Sequence, residues 1–164
     1  MTRTDQPIRA ADWRVAAWRA FLRAHASVVR KLERDLVNET GMPLGWYDVL
    51  VQLAEAPERR LRMADLADKV LLSRSGLTRL VDRLQAEGLV TREPFPGDAR
   101  GLYTVLTAAG LARMRQAAPV HLAGVQEHWL SRFSDSELRT LHSLLARLDS
   151  GQPAEVGRLS EGGD

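Results

Sequence analysis

Residues 61–110, LRMADLADKVLLSRSGLTRLVDRLQAEGLVTREPFPGDARGLYTVLTAAG, decide how this chain folds. Two short helices are predicted at the start of this segment, because apolar residues recur there every three or four positions. The first helix has its apolar stripe at Met63, Leu66, Ala67 and Val70, and the second, residues 73–87, at Leu77, Leu80, Val81 and Leu84. Since only residues 71–73 join them, the chain must turn sharply, which is typical of a helix-turn-helix unit.

A β-hairpin is predicted directly after the second helix. Gly88 is placed to end that helix, and residues 89–92 and 102–106 are rich in β-branched and aromatic side chains. Residues 94–101 are predicted to form a loop that continues neither strand, because proline lacks the ladder donor and glycine favours turns. The predicted fold class is mainly α with a small β-hairpin wing: a winged helix-turn-helix flanked by N- and C-terminal dimerisation helices.

The free face of the second helix carries side chains suited to the major groove of DNA. Ser75, Thr78, Arg79, Asp82 and Arg83 lie opposite the leucine stripe. Arginine can bind guanine O6 and N7 with two hydrogen bonds, and serine or threonine can meet base edges or phosphates. An ordinary solvated helix could show the same polarity. The helix-turn-helix context favours DNA contact, since that unit leaves its second helix free to enter the groove.

Residues at the helix start and at the hairpin tip extend this interpretation. Ser73 is placed as the N-cap of the second helix, where exposed backbone N–H groups can bind a phosphate. Arg100 can reach a minor groove, where a narrow A·T tract attracts arginine. Asp98 is interpreted as a brace that pairs with Arg100 or a loop N–H, because a carboxylate facing phosphate would be repelled. The alternative is an ordinary solvated hairpin.

Four motifs cover the middle third of the chain: LTRLVDRL at residues 77–84, EGLV at 87–90, Asp98-x-Arg100, and VLTxxG at 105–110. Together they resemble the MarR family of bacterial regulators (multiple antibiotic resistance regulators). The resemblance implies a homodimeric repressor or activator on a pseudo-palindromic operator, often released by a small aromatic or phenolic ligand. It implies that Arg79 reads bases and that Arg100 enters the minor groove. The predicted DNA-binding residues are Ser73, Arg74, Ser75, Thr78, Arg79, Arg83, Asp98, Arg100 and Gly101.

Apolar helices on both sides of this centre predict a dimerisation module. One helix is expected over about residues 11–39, a second from the cap Thr107 to about Trp129, and a third after the capping box of Ser134 and Glu137. A twofold dimer would present two recognition helices ~34 Å apart, in successive major grooves. The alternative is that these helices complete the core of a monomer.

The chain divides accordingly into five predicted parts. Residues 1–7 are expected to be a disordered N-terminus and 8–39 a dimerisation helix that packs with 107–150. Residues 40–106 form the winged helix-turn-helix DNA-binding domain, and 107–150 the C-terminal dimerisation helices. Residues 151–164 have too few apolar side chains to pack and are expected to be a disordered tail.

A small-molecule site is predicted where the flanking helices meet the DNA-binding domain, which is where the resembled family places its effectors. Aromatic rings with a polar edge can form a slot for a flat ligand. Such rings are more often plain core residues, and those of the first helix can equally belong to the dimer interface. The candidate residues are Trp13, Trp18, His25, Trp46, Tyr47 and Asp48.

The composition argues against several other classes of protein. With 164 residues, 45% of them hydrophobic and 27% charged, the chain is typical of one soluble globular domain. A net charge of +2 argues against the alternative function, a constitutive architectural DNA-binding protein without effector, since nonspecific binders need many phosphate contacts. No long apolar run and no signal-like start is present, so we expect a cytoplasmic, nucleoid-associated protein without membrane contact.

Catalysis and metal binding are not expected either. The chain has no cysteine, no glycine-rich phosphate loop and no nucleophile or metalloprotease motif, so no enzyme activity and no cofactor are predicted. His121 and His128 are two helical turns apart, about 10 Å by the rise of an α-helix, too far to share one zinc ion. We interpret these residues, with His142, as half-buried, pH-responsive interface histidines rather than as metal ligands.

Overall fold

The computed structural model describes residues 9, 12–70, 74–95 and 98–148. In chain order the regular elements are α1 (Trp13–Thr40), α2 (Leu44–Glu55), β1 (Arg60–Arg62), α3 (Met63–Lys69), α4 (Arg74–Ala86), β2 (Val90–Phe95), β3 (Asp98–Leu106), α5 (Ala108–His128) and α6 (Asp135–Leu145). This architecture confirms the predicted fold class. Among the helices of these residues, none combines the length and apolar character needed to cross a membrane.

The two helices of the helix-turn-helix unit form where the apolar spacing predicts them. Along α4, Leu77, Val81 and Leu84 are fully buried, while the opposite face is exposed. Gly88 adopts φ +71° directly after the helix, a left-handed conformation that glycine adopts readily. The predicted stop at Gly88 is therefore confirmed.

The wing is a three-stranded antiparallel sheet in the order β1-β3-β2, one strand more than predicted. Strand β1 pairs Arg60 with Val105 and Arg62 with Tyr103. Strand β1 was not predicted, because three residues are too few to show alternation and two of them are arginines.

The prediction that residues 94–101 continue neither strand is wrong. Strand β2 runs through Pro94 to Phe95, and β3 already begins at Asp98, with a register irregularity between Pro94 and Phe95. Proline is tolerated here because β2 lies at the edge of the sheet, where a missing N–H leaves no neighbouring strand unpaired.

The buried core joins the end of α1 to the DNA-binding helices and the base of the wing. It packs apolar side chains from every element between α1 and β3, and its largest fully buried members are Leu36, Met42, Leu50, Leu53, Leu66, Leu77 and Leu84. The carboxylate of Glu33 on α1 accepts the backbone N–H of Leu44 at 2.6 Å, which satisfies a free donor at the start of α2. Helices α1 and α2 are thereby tied together at the edge of this core.

Helix α5 begins immediately behind the wing. Thr107 is its N-cap, as predicted, and accepts the Gly110 N–H at 3.0 Å. The same hydroxyl lies 2.8 Å from the carbonyl oxygen of Gly88, to which it donates. A Cβ added at Gly110 would lie 2.1 Å from the carbonyl oxygen of Leu89. Only glycine fits this contact, so α5 and the start of β2 are in direct backbone contact.

The second half of α1 packs against α5, and the two helices share a buried polar contact. The Nε2 atom of His128 lies 2.6 Å from the Asp35 carboxylate, and the His128 side chain is only 5% exposed. Hydrogen bonds from His128 and from Arg34 hold the pKa of Asp35 below its ordinary value. Farther along, α6 begins at Ser134 with the predicted capping box to Glu137, which is confirmed.

Candidate nucleic-acid interface

The exposed face of α4 brings together four of the residues predicted to contact DNA. Ser75, Thr78, Arg79 and Arg83 are all exposed, whereas Leu77 behind them is fully buried. Among the described residues, no carboxylate forms an ion pair with Arg79 or Arg83. This face therefore offers two guanidinium groups that no carboxylate of the described residues pairs with, beside two hydroxyls, the groups that bind base edges and phosphates.

Arg92 of β2 joins the wing to this helix. Its guanidinium donates to the Asp82 carboxylate at 2.6 Å and to the side-chain oxygen of Gln85 at 2.8 Å, both on α4. Two hydrogen bonds from one planar group fix an orientation as well as a distance. The sequence places Asp82 on the polar face of α4, but the contact itself depends on strand register and was not predicted.

The other face of the wing carries a stack of arginines and aromatic rings. The guanidinium carbon of Arg62 lies 3.4 Å from the centre of the Phe95 ring, and that of Arg60 lies 4.8 Å from the centre of the Tyr103 ring. The centroids of the two rings are 5.1 Å apart. Sequence reasoning missed this face; the available signal was the period-two alternation that puts every second strand residue on one side.

The remaining predicted DNA contacts fall partly or wholly outside the described residues. Ser73 precedes the described part of α4, and only the backbone is described for Arg74, Asp98 and Arg100, in α4 and β3. Gly101 lies within β3. The roles of these five residues in DNA binding stay predictions.

Known proteins share this arrangement of helices and wing. The model of the MarR family matches residues 40–101, from the last residue of α1 into the wing. Sco3205, a MarR family transcriptional regulator from Streptomyces coelicolor solved in complex with DNA, superposes with a TM-score of 0.81 and 35% sequence identity. The match covers 92% of this chain and 96% of that protein. This chain belongs to the MarR family.

Two further proteins support the MarR assignment. AbsC, a MarR family transcriptional regulator from Streptomyces coelicolor, superposes with a TM-score of 0.78 at 34% identity, covering 87% of this chain and 96% of its own. The HTH-type transcriptional repressor YetL of Bacillus subtilis is 30% identical over 111 residues, 66% of each chain. The present MarR-family protein is therefore a transcriptional regulator that binds DNA, and not an enzyme.

The six residues predicted to bind a small molecule are not brought together within this MarR-family chain. Trp13, Trp18 and His25 lie exposed on the first half of α1, where the Trp18 and His25 rings each stack on Phe21. The other three lie on α2, beside the last turns of α1. By the rise of an α-helix, Trp18 is about 27 Å from Leu36 at that end. The candidates thus form two separate groups.

The group on α2 meets a histidine of α5. The rings of Tyr47 and His121 are 4.5 Å apart, and the Nδ1 atom of His121 is buried with no hydrogen-bond partner among the described residues. Burial lowers the pKa of His121, which favours its neutral form. Next to Tyr47, burial and the charge of Glu33 raise the pKa of Asp48 to about 6, although its side chain still reaches solvent. The unpaired buried nitrogen of His121 thus lies beside the turn of α2 that carries Tyr47 and Asp48.

The histidines of α5 have separate structural roles. His121 packs on Tyr47, whereas His128 bonds Asp35. Within residues 12–70, 74–95 and 98–148 no three His, Cys, Asp or Glu side chains are grouped so that they could hold a metal ion. Sequence spacing alone had placed the two rings on one face; the structure shows a different partner for each.

Proposed function

We propose that this MarR-family protein is a homodimeric transcriptional repressor that binds a pseudo-palindromic operator. One observation carries the proposal: the arginine- and hydroxyl-bearing face of α4 is exposed, and the Arg92–Asp82 contact holds the wing at a set angle beside it. A helix in the major groove with a wing alongside needs this fixed geometry to meet successive grooves together. That YetL is named a repressor supports the direction of regulation.

Homodimer formation is supported by apolar side chains that this chain does not bury. Large hydrophobic residues are exposed on α1, on α5, and on or next to α6: Trp13, Trp18, Phe21, Leu22, Val29, Val37, Leu122, Phe133, Leu144 and Leu148. Exposed apolar surface of this kind is typical of a protein interface. We assign it to a second copy, because twofold pairing through these helices presents two copies of α4 to two half-sites.

Within each half-site, we assign base reading to Arg79. It lies near the centre of the exposed face of α4, with Ser75 and Thr78 beside it for bases or phosphates and Arg83 one turn farther along. Arg74, Ser73, Asp98, Arg100 and Gly101 keep the roles that the sequence predicts for them. A bidentate arginine contact contributes about 1–3 kcal/mol of discrimination against the wrong base.

The effector site is proposed at the junction of Trp46, Tyr47 and Asp48 with His121. A flat aromatic ligand can stack on the Tyr47 ring and supply the missing partner of His121 Nδ1. Trp13, Trp18 and His25, which form the other group of candidates on α1, are assigned to the dimer interface instead. Ligand binding between α2 and α5 would alter the position of α4 and weaken operator binding.

The test is a titration of the protein against the duplex that flanks its own gene, with a scrambled duplex of equal length and composition. Arg79→Ala is expected to abolish the preference for the flanking duplex while leaving weak binding to both. Arg139→Ala, an exposed arginine on α6, is the matched control and should behave like the parent.

Retained preference in Arg79→Ala would remove this residue from base reading. Equal parental binding to both duplexes would favour a nonspecific DNA-binding protein or an operator elsewhere. Adding a panel of aromatic acids to the same titration tests the effector site: Tyr47→Ala should abolish any release that the parent shows, with DNA affinity itself unchanged.

A further inference from the structure

We infer that Arg62 is a DNA phosphate contact, positioned by the ring of Phe95. The inference rests on the DNA binding proposed above and adds to it a second contact surface, on the face of the wing opposite α4. No motif predicted this residue: it stands at the end of β1, a strand that the sequence did not reveal.

The geometry of the wing isolates Arg62 from α4. Arg62 pairs with Tyr103, and Glu93 pairs with the same residue from the other side. Arg62 and Phe95 therefore share one face of the sheet, while Arg92 lies on the other and bonds α4. The register also places Arg62 at the end of β1 nearer the wing tip, since Arg60 pairs deeper in the sheet with Val105.

The charge of Arg62 distinguishes it from the other arginines of the sheet. Arg60 forms ion pairs with Glu58 and Glu93, and Arg92 forms one with Asp82. Arg62 is exposed, and no carboxylate among the described residues pairs with it. Among the arginines of the sheet whose side chains are described, it is the one whose positive charge stays available to an external anion.

The Phe95 ring orients this charge without neutralising it. The guanidinium lies 3.4 Å from the ring centre, and Phe95 is itself held by Tyr103. A guanidinium stacked by its flat face keeps its N–H edge free, and this planar fork matches the oxygens of a phosphate. Fixing the side chain before binding reduces the entropy lost when the contact forms.

The position of Arg62 also indicates which phosphates it reaches. The wing lies beside α4, so the face away from α4 looks outward along the duplex from the groove that α4 reads. Arg62 accordingly contacts the backbone outside the bases recognised by the same protomer. A phosphate contact carries no base information, so it strengthens binding equally on any sequence.

The experiment measures DNA affinity by fluorescence anisotropy over a range of KCl concentrations, on both the flanking and the scrambled duplex. Arg62→Gln should reduce the slope of log K against log salt by about 0.9 for each protomer bound, and by the same amount on both duplexes. Arg62→Lys keeps the charge and should keep the parental slope. Arg139→Gln is the charge-matched control on α6 and should also keep it.

Phe95→Leu tests the positioning role separately. It retains the charge of Arg62 but removes the stack, so we expect a slope between those of the parent and Arg62→Gln, with an unchanged ratio of affinities for the two duplexes. Circular dichroism melting of each variant verifies that the wing stays folded.

An unchanged slope in folded Arg62→Gln would overturn the assignment, as would a loss confined to the flanking duplex, which would indicate base reading. These outcomes are separate from a failure of the proposed function, which would show as equal affinity of the parent protein for the two duplexes.

Discussion

The DNA-binding region, α2 to β3, and the flanking helices, α1, α5 and α6, differ in how far they bury their large apolar side chains. In the DNA-binding region the large apolar side chains are buried or half-buried, and Leu102 is the exposed exception among the described residues. In the flanking helices, Trp13 is 77% exposed, Leu122 60% and Leu144 46%. The first region closes a core together with the end of α1, whereas much of the second presents apolar surface that needs another surface to cover it.

The apolar pattern of a helix therefore does not by itself show whether its apolar face is buried within the chain or against another molecule. The stripe of α4 and the stripe of α6 have the same helical spacing, yet Leu77 is fully buried and Leu144 is 46% exposed. Burial within the chain follows from neighbours: α4 packs between α3 and the wing, while much of α1, α5 and α6 faces outward.

The difference in burial between the two regions predicts that truncating a buried leucine destabilises the chain more than truncating an exposed flanking one. Equal destabilisation would contradict it. Leu77→Ala should lower the free energy of unfolding by about 3 kcal/mol, because it leaves a cavity in a closed core. Urea unfolding followed by circular dichroism measures this loss. Leu122→Ala is the matched control, and at protein concentrations low enough to keep the chain monomeric it should change the free energy by less than about 0.5 kcal/mol.

The second prediction concerns self-association through the exposed apolar surface of the flanking helices. Trp18→Ala should weaken self-association by about 2 kcal/mol, roughly 30-fold in Kd, because large aromatic side chains dominate the energy of interfaces. Sedimentation equilibrium measures the Kd, and circular dichroism should show unchanged helix content. Leu102→Ala removes an apolar side chain exposed on the wing and should leave the Kd at its parental value. Equal weakening by both variants would contradict the assignment of the dimer interface to α1.

The third prediction concerns Asp48, at the border of the two regions. Its folded pKa of about 6 lies above the ordinary aspartate value of 3.8, so the folded state holds the extra proton between these pH values. The parent should therefore lose stability as pH rises from 4 to 6, and Asp48→Asn should not. At pH 7 the variant should be more stable by about 1 kcal/mol, a value reduced because the side chain reaches solvent.

Thermal and urea unfolding at pH 4 and pH 7 test this gain. Asp65→Asn replaces another exposed carboxylate, on α3, and serves as the control. It should stay within about 0.5 kcal/mol of the parent at both pH values. A gain at pH 4 equal to that at pH 7 would mean that the charge of Asp48 is not its cause.

The smallest effect is expected at the joint between α1 and α5. The pKa of Asp35 is lowered by His128 and Arg34, so the stability it contributes is present above pH 3.8 and is lost as the pH falls through the lowered pKa. Asp35→Asn should be less stable than the parent at pH 7 and should flatten the loss of stability below pH 3.8. Urea unfolding between pH 2.5 and 7 measures both, and an acid dependence identical to the parent's would exclude this contact as its source.

Local patterns in the sequence predicted those parts of the fold that local physics decides. The stripe of α4, the stop at Gly88 and the caps Thr107 and Ser134 each depend on residues within a few positions, and the structure confirms them. Strand β1 and the passage of β2 through Pro94 were missed, because both depend on which strand lies at the edge of the sheet.

The candidate site shows the same division. The exposed face of α4 follows from helical periodicity, so Ser75, Thr78, Arg79 and Arg83 could be grouped from the sequence. The contact of Arg92 with Asp82 and that of Arg62 with Phe95 each join residues that are at least ten positions apart and lie on different elements. Pairings of that kind are set by register and packing, which composition and spacing do not contain.

Thr107 has a mechanical consequence for the whole molecule. It is the one residue between β3 and α5, and its hydroxyl bonds both the start of α5 and the turn that ends α4. Because Gly110 also lies against the Leu89 carbonyl, α5 cannot rotate at this junction without moving the start of β2. Helix α5 and the wing therefore rotate together, so a tilt of a few degrees at the far end of α5 displaces α4.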